Sequence, residues 1–583
     1  MSNMLIAGGT VVDGTGAKGY KSDVRIADGR IVEIGEHLSP RDGEEVFQAD
    51  GAIVAPGFIE AHTHYDATMW WKNDLDPLPA YGATTIITGN CGFTAAPIHD
   101  DPEVQLEMAK IFSFFEDIPL EPFQKHVPWE WRKWSEYKAS VERNIELPVN
   151  QATYAGHIAI RLAAMGMEAW ERVATAEERK KMQAMLVDAL DAGALGLSTN
   201  LLDHDGEDRP IPTLMADDAE FEAIFDVLER YPASTMQCII DVALMRDNGH
   251  EQAERMHRLL KGRNVRIQLT GGIPTSEYQT YRLDQMIGII SAMREDGIDV
   301  WPGYGHVPLT AQLSIYKSLL FAQSGDYVWH EAVLAEGEEA KAAILRDEDW
   351  RARARESWDN KVYAHSPMSQ PHMLLLTELG SDSGHGPFCT LAEYAEELGV
   401  HRSDAMAEWL LKNGVSSSIR MEPMAMNDNA VVEMVRDPKT VGNITDAGAH
   451  LQMLCGGGEN VIYLTKYVKE LKAISVEEAI NSMTGKVADH FHLADVGTID
   501  IGKRADIVVF NLEDIQQHDM EKRFDVTDGK GGTTWRYTRP AGGLKLTLVN
   551  GVATFRDGKQ TDALPGEFLT PELAAEMQAQ AAE

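Results

Sequence analysis

Pro56-Gly57-Phe58-Ile59-Glu60-Ala61-His62-Thr63-His64-Tyr65-Asp66 follows the apolar run Ala52-Ile53-Val54-Ala55. Residues i and i+2 of a strand point to the same face, so His62 and His64 leave the backbone together. Two imidazoles converging from the end of one strand are placed to hold a divalent metal. A bare His-x-His also fits two ordinary core histidines. The position decides between them, because barrel enzymes carry their chemistry at the C-terminal ends of strands.

Working outward, eight apolar runs read as strands: 52–65, 83–90, 152–157, 194–200, 234–241, 265–271, 298–304 and 441–446. Helical patterns such as Ala176–Leu186 follow several of them. Strand–helix alternation argues for a parallel sheet, and eight such units argue for a closed (β/α)8 TIM-like barrel of the α/β class. Residues 1–50 carry short alternating strands, with a hairpin turn at Ala27-Asp28-Gly29-Arg30. The far end repeats that texture at 505–510 and 544–552. The two ends are expected to pair as a small composite β-sandwich (1–52 and 490–565) that supports a barrel over 53–489. Two insertions interrupt the barrel spacing, at 98–150 and 306–440. Insertions at strand ends sit over the active-site mouth, so a lid or pocket wall is expected from them.

Composition narrows the function classes. The 583 residues carry a formal charge of −38, which argues against a nucleic-acid partner and an anionic membrane surface. Four cysteines are too few for a disulfide scaffold. The N-terminus lacks a basic stretch followed by an apolar one, and no run reaches the length of a membrane span. These features lead to the expectation of a cytoplasmic enzyme acting on a small molecule, with a homo-oligomer open.

Four candidate metal ligands lie at strand ends: His62 and His64 on the first, Cys91 in Gly89-Asn90-Cys91-Gly92 on the second, and Asp446 on the eighth. Imidazole, thiolate and carboxylate are all good zinc donors. The alternatives are a buried small hydrophobe for Cys91 and a turn or cap residue for Asp446. His157 and His306 also end strands, and His450 lies four residues past Asp446. Each is a candidate for substrate binding, as is Arg420 as a carboxylate clamp. The aromatic and methionine-rich insertions (Trp129, Trp131, Trp134, Met421, Met424, Met426) suit either an apolar acyl pocket or ordinary packing.

The Pro-Gly-hydrophobic-hydrophobic-Glu-x-His-x-His stretch resembles the amidohydrolase superfamily. Gly89–Gly92, Gly193–Ser198 and Thr445-Asp446-Ala447-Gly448-Ala449-His450 are similar to its N-acyl-D-amino-acid deacylase (D-aminoacylase) branch. The resemblance implies a metal-dependent hydrolase of amide C–N bonds, with Asp446 as a general base that later acts as general acid. It also implies metal histidines at the ends of the fifth and sixth strands. Those strands here contain Gln237 and Gln268 and no histidine, so one metal per chain is expected, Zn²⁺ for preference, on His62, His64 and Asp446 with Cys91 as a possible fourth donor. Two other readings stay open at this point. One is hydrolysis of a cyclic amide, carbamate or ester on the same scaffold, and the other is an inactive barrel used for binding.

Overall fold

The structure, a computed structural model, describes all residues except 1–2, 208, 242–247, 278–279, 309, 316–325, 362–369, 377–388, 422–424, 528–530 and 573–583. Gly57 divides the opening run of sequence between two sheets. Ile53–Pro56 pairs with Met4–Val11 and Ile507–Phe510 in a sheet built from both ends of the chain. Phe58–Glu60 instead pairs in parallel with Ala83–Thr88. The expected strand 52–65 is therefore three short strands, Ile53–Pro56, Phe58–Glu60 and His62–Thr63, and the expected domain boundary at 53 moves to Gly57. A Cβ at Gly57 would collide with the Thr84 side chain, so only glycine lets the chain pass between the two sheets at this point.

The strands beyond Gly57 pair in parallel, in sequence order. Ala83–Thr88 pairs with Asn150–Thr153, and Ala155–Gly156 with Gly196–Asn200. Thr235–Ile239, Arg266–Ile273 and Asp299–Tyr304 follow in register. A parallel bridge joins Gly303 to Val441, and Ile444–Ala447 pairs with His62–Thr63. The pairings thus return to the strand on which they began. Helices fill the connections, among them His157–Met165, Ala176–Asp191, Asp218–Leu228 and Glu251–Leu260. Alternation of this kind places strand C-termini on one side and strand N-termini on the other.

The terminal sheet has nine strands and encloses its own apolar cluster, including Ile6, Val24, Ile26, Val54, Ile507 and Leu548. It meets the ring at Asp506. The Asp506 carboxylate accepts from Asn150 Nδ2 at 2.8 Å and from the Asn550 backbone at 2.7 Å, while its carbonyl accepts from Gly57 N at 2.8 Å. Residues 490–565 do not all join this sheet. Glu521–Thr527 and Thr533–Thr538 form a separate two-stranded hairpin. Its Tyr537 N donates to Leu451 O at 2.8 Å, which docks the hairpin on the loop after the eighth ring strand.

Both insertions are structured. The first holds three helices: α1 (Pro102–Phe115), α2 (Leu120–His126) and α3 (Trp134–Asn144). Asp101 caps α1 by accepting from Glu103 N, and Pro102 starts it where a missing N–H costs nothing. Trp131 and Trp134 are buried, and their indole N–H groups donate to Ala95 O (2.6 Å) and Tyr154 O (3.2 Å). They bind the insertion to the ring, so packing accounts for both. The second insertion contains a four-stranded antiparallel sheet and an apolar cluster of its own that includes Trp329, Trp350, Trp409 and Met421. It thus packs around a core of its own. Met426 is also buried, and Met424 lies outside the described residues.

Candidate metal centre

The first and eighth ring strands are neighbours, and this places Asp446 beside the two histidines. His62 and His64 turn their Nε2 atoms toward each other, 3.1 Å apart. Asp446 Oδ1 lies 3.3 Å from His62 Nε2 and 3.4 Å from His64 Nε2. Cys91 Sγ lies 3.2 Å from the first and 3.8 Å from the second. Ligands bound tetrahedrally to zinc at its usual bond lengths stand roughly 3.3–3.7 Å from one another. The five separations therefore have the size that one ion would impose. The ligand atoms of His62, His64 and Cys91 all lie within 4.8 Å of one another.

Local backbone chemistry sets these positions. Cys91 sits in a 3-10 turn, Asn90–Gly92, with φ of 57°, the left-handed region that side chains rarely enter. Its backbone N–H donates to Gln237 Oε1 at 3.1 Å, and the next one, Gly92 N, donates to Ser198 Oγ at 2.9 Å. Asp446 also has a positive φ, 52°, and Gly456 packs where any Cβ would strike Thr445 O. Both candidate positions thus hold a backbone conformation that residues other than glycine rarely adopt.

The site is electrostatically acidic. Burial and the nearby carboxylates of Glu116 and Asp446 push the Cys91 thiol well above its ordinary value. Burial, aided by the charge of His64, lowers His62 to about 4. His64 is raised to about 9, because Glu116 and Asp446 outweigh its burial. Partial burial would raise Asp446, yet the His64 hydrogen bond and the two imidazoles hold it well below the usual carboxylate range. Asp66 is buried, and that burial raises it to about 7 against the charge of His64 and the backbone N–H groups of Asp66 and Gly89. Imidazole nitrogens, a thiol and carboxylates gathered in this way are the donor types that suit a divalent ion.

The candidate substrate residues separate into distinct cases. His157 starts the helix after the third ring strand, and both its nitrogens are engaged: Nδ1 with Thr199 Oγ1 at 2.8 Å, Nε2 with Glu220 Oε1 at 2.9 Å. Glu220 in turn pairs with the buried Arg161. His157 is thus part of a buried structural network, not a pocket group. His306 is also fully buried, stacked on Tyr463 with ring centres 4.0 Å apart, and its Nε2 faces Glu459 O at 3.2 Å. Burial lowers it to about 3, which leaves a neutral packing residue where a pocket group was expected. His450 stays near the centre, where the charges of Asp446 and His64 both act on it. Arg420 lies on the insertion sheet opposite Gln312, whose N donates to Met453 O at 2.8 Å, beside the His450 loop.

Gln237 and Gln268 face each other in register in mid-strand. Gln237 uses its oxygen on Cys91 N and its nitrogen on Thr270 Oγ1 (2.9 Å). Gln268 uses its nitrogen on the same hydroxyl (3.2 Å) and its oxygen on His490 Nε2 (3.1 Å). Sequence reasoning missed Glu116, just past the end of α1, whose Oε1 lies 3.1 Å from His64 Nδ1. No motif around Glu116 marks it.

Two sequence profiles, each described as an amidohydrolase family, match residues 45–301 and 372–554. The chain belongs to the amidohydrolase family. It is 26% identical to the N-acyl-D-glutamate deacylase of Alcaligenes xylosoxydans xylosoxydans, over 97% of this chain and 96% of that one. It is also 26% identical to the N-acyl-D-aspartate deacylase of the same organism, over 98% and 95%. In fold it is similar to the N-acyl-D-glutamate deacylase of Bordetella bronchiseptica, solved with zinc and a phosphonate inhibitor (TM-score 0.65, 24% identity, 97% of this chain and 99% of that one). A D-aminoacylase structure is similar at TM-score 0.64 and 23% identity, with the same coverage. These neighbours imply a TIM-barrel catalytic domain.

Proposed function

We propose that the chain is a metal-dependent deacylase that hydrolyses the amide of an N-acyl amino acid, with D-amino acids preferred. The observation that carries this reading is the cluster of His62, His64, Cys91 and Asp446 at ligand-to-ligand spacing. Full-length similarity to two N-acyl-D-amino-acid deacylases supports the substrate class. In this reading the ring of parallel strands is the (β/α)8 barrel, the terminal sheet its supporting β-sandwich, and the two insertions form the walls of the mouth.

His62, His64 and Asp446 would hold one zinc ion, with Cys91 as a further donor. When bound, such an ion acidifies water and polarises a carbonyl near neutral pH. Asp446 is close enough to both imidazoles to serve the same centre, and those imidazoles hold its carboxylate in the ionised form that a base requires. It would take the proton of the attacking water and return it to the leaving nitrogen, acting first as general base and then as general acid. His450 and Arg420 are the groups proposed for the substrate. A single ion is proposed because the oxygens of Gln237 and Gln268 are already accepting hydrogen bonds.

The test is a panel of N-acetyl amino acids of both hands, with hydantoins and simple esters alongside, assayed on zinc-loaded protein by release of free amine or acid. Turnover of an N-acetyl-D-amino acid with little on the L-form is expected. Hydrolysis confined to cyclic amides or esters would overturn the deacylase reading in favour of another bond on the same scaffold.

A further inference from the structure

The first and eighth ring strands carry His62, His64 and Asp446, yet they do not pair in even register. Ile444 lies opposite His62 and Ala447 opposite Thr63, so the eighth strand advances three residues while the first advances one. Thr445 and Asp446 are the surplus, a bulge, and a bulge re-aims the side chains it carries. Asp446 takes its positive φ of 52° within it. On one side of the bulge, Asn443 ties the strands together: its Nδ2 donates to Ile59 O at 2.7 Å and its carbonyl accepts from Ala61 N at 3.2 Å. On the other side, His64 N donates to Ala447 O at 2.9 Å. Between these ties Thr445 is pinned twice. Its Oγ1 donates to Glu60 Oε2 at 2.7 Å, and Gly456 packs so close to its carbonyl that a Cβ there would come within 1.9 Å. Glu60 precedes His62 by two residues and is fully buried. Burying a carboxyl is costly unless hydrogen bonds replace its water. Here a replacement comes from the eighth strand.

We infer that Glu60 is a positioning residue for Asp446, gripping the bulge through Thr445 so that Asp446 Oδ1 stands between the imidazoles of His62 and His64. The inference rests on the proposed metal site. Oδ1 lies almost equally far from the two Nε2 atoms, at 3.3 and 3.4 Å. A metal site needs its ligand distances good to about 0.2 Å, so a small slide of the bulge is enough to spoil it. Glu60 acts at one remove: its carboxyl bonds the Thr445 hydroxyl, and Thr445 is the chain neighbour of the ligand. The strand that supplies two histidines thus also sets the place of the third donor on the strand beside it.

The experiment is zinc binding to metal-stripped full-length protein, read by competition with a chromophoric chelator, with melting temperature taken on the same samples. The proteins are wild type, His62→Ala, Thr445→Val, Thr445→Ser, Glu60→Met and the double variant Thr445→Val with Glu60→Met. Thr445→Val keeps the shape and removes the donor, whereas Thr445→Ser keeps the hydroxyl and is the conservative rescue. Glu60→Met fills the space without the carboxyl acceptor, and it carries the test if Thr445→Val does not fold. Zinc affinity is expected to fall about 10-fold in Thr445→Val and in Glu60→Met, the lower end of the range for groups that support a metal ligand. It should stay near wild type in Thr445→Ser and fall no further in the double variant, because the two residues act as a unit. Affinity unchanged in Thr445→Val and Glu60→Met, with zinc lost in His62→Ala, would overturn this inference alone, whatever the melting temperatures do. Equal losses in Thr445→Val and Thr445→Ser, or losses that add in the double variant, would overturn it too. Uptake unaffected by His62→Ala would overturn the metal centre and this inference with it.

Discussion

Gln237 Oε1, on the fifth ring strand, accepts a hydrogen bond from the backbone N–H of Cys91 at 3.1 Å. It thereby anchors a residue whose φ of 57° the local sequence does not favour. The polar side chain in the middle of a ring strand is explained by this bond. Gln237→Leu would leave a buried N–H without this acceptor, at a cost of about 1–3 kcal/mol. Chemical denaturation of the metal-stripped variant is expected to show that loss, together with weaker zinc binding as Cys91 moves. A variant as stable as wild type would remove this role from Gln237.

Asp446→Asn preserves the shape of the proposed base and removes its ability to take a proton. Turnover is expected to fall by at least about 10²-fold, the usual scale of general acid–base help. Zinc content is measured on the same sample. Near-normal turnover in a folded, zinc-loaded variant would contradict the assignment of Asp446 as proton shuttle.

Asp506 joins the terminal sheet to the ring, and its burial raises it to about 7, although the Asn550 N–H and Arg504 oppose that shift. An unfolded aspartate titrates near about 3.9. The folded protein therefore binds a proton at Asp506 that the unfolded chain has released in this interval. Its contribution to stability is fully present below about pH 4 and lost as pH rises through about 7. Urea midpoints of the metal-stripped protein are expected to fall between pH 5 and pH 8, and Asp506→Asn to flatten that fall. Equal pH slopes in the two proteins would contradict the prediction.

Much of the ring was legible because apolar runs such as 83–90 and 234–241 stand between turn residues and helical patterns. The break at Gly57 was not, since Ile53–Pro56 and Phe58–Glu60 look alike and differ only in the sheet that receives them. The metal ligands on the first strand were legible because i, i+2 spacing alone puts two side chains on one face. The bond that disposes of His157 comes from Glu220, on a helix three elements later, and nothing local announces it. Glu116 was hidden for the same reason, its meaning residing in a contact with a distant strand. The sheet of the second insertion has strands of only two or three residues, too short for alternation to show.

The central claim is that His62 and His64 hold one ion as a unit, and the direct measurement is zinc content and melting temperature of His62→Ala, His64→Ala and the double variant. Each single change is expected to empty the site, and the double one to add little, because residues acting as a unit are non-additive. Full zinc occupancy in either single variant, with only the roughly 1–3 kcal/mol loss of a buried packing residue, would contradict the account.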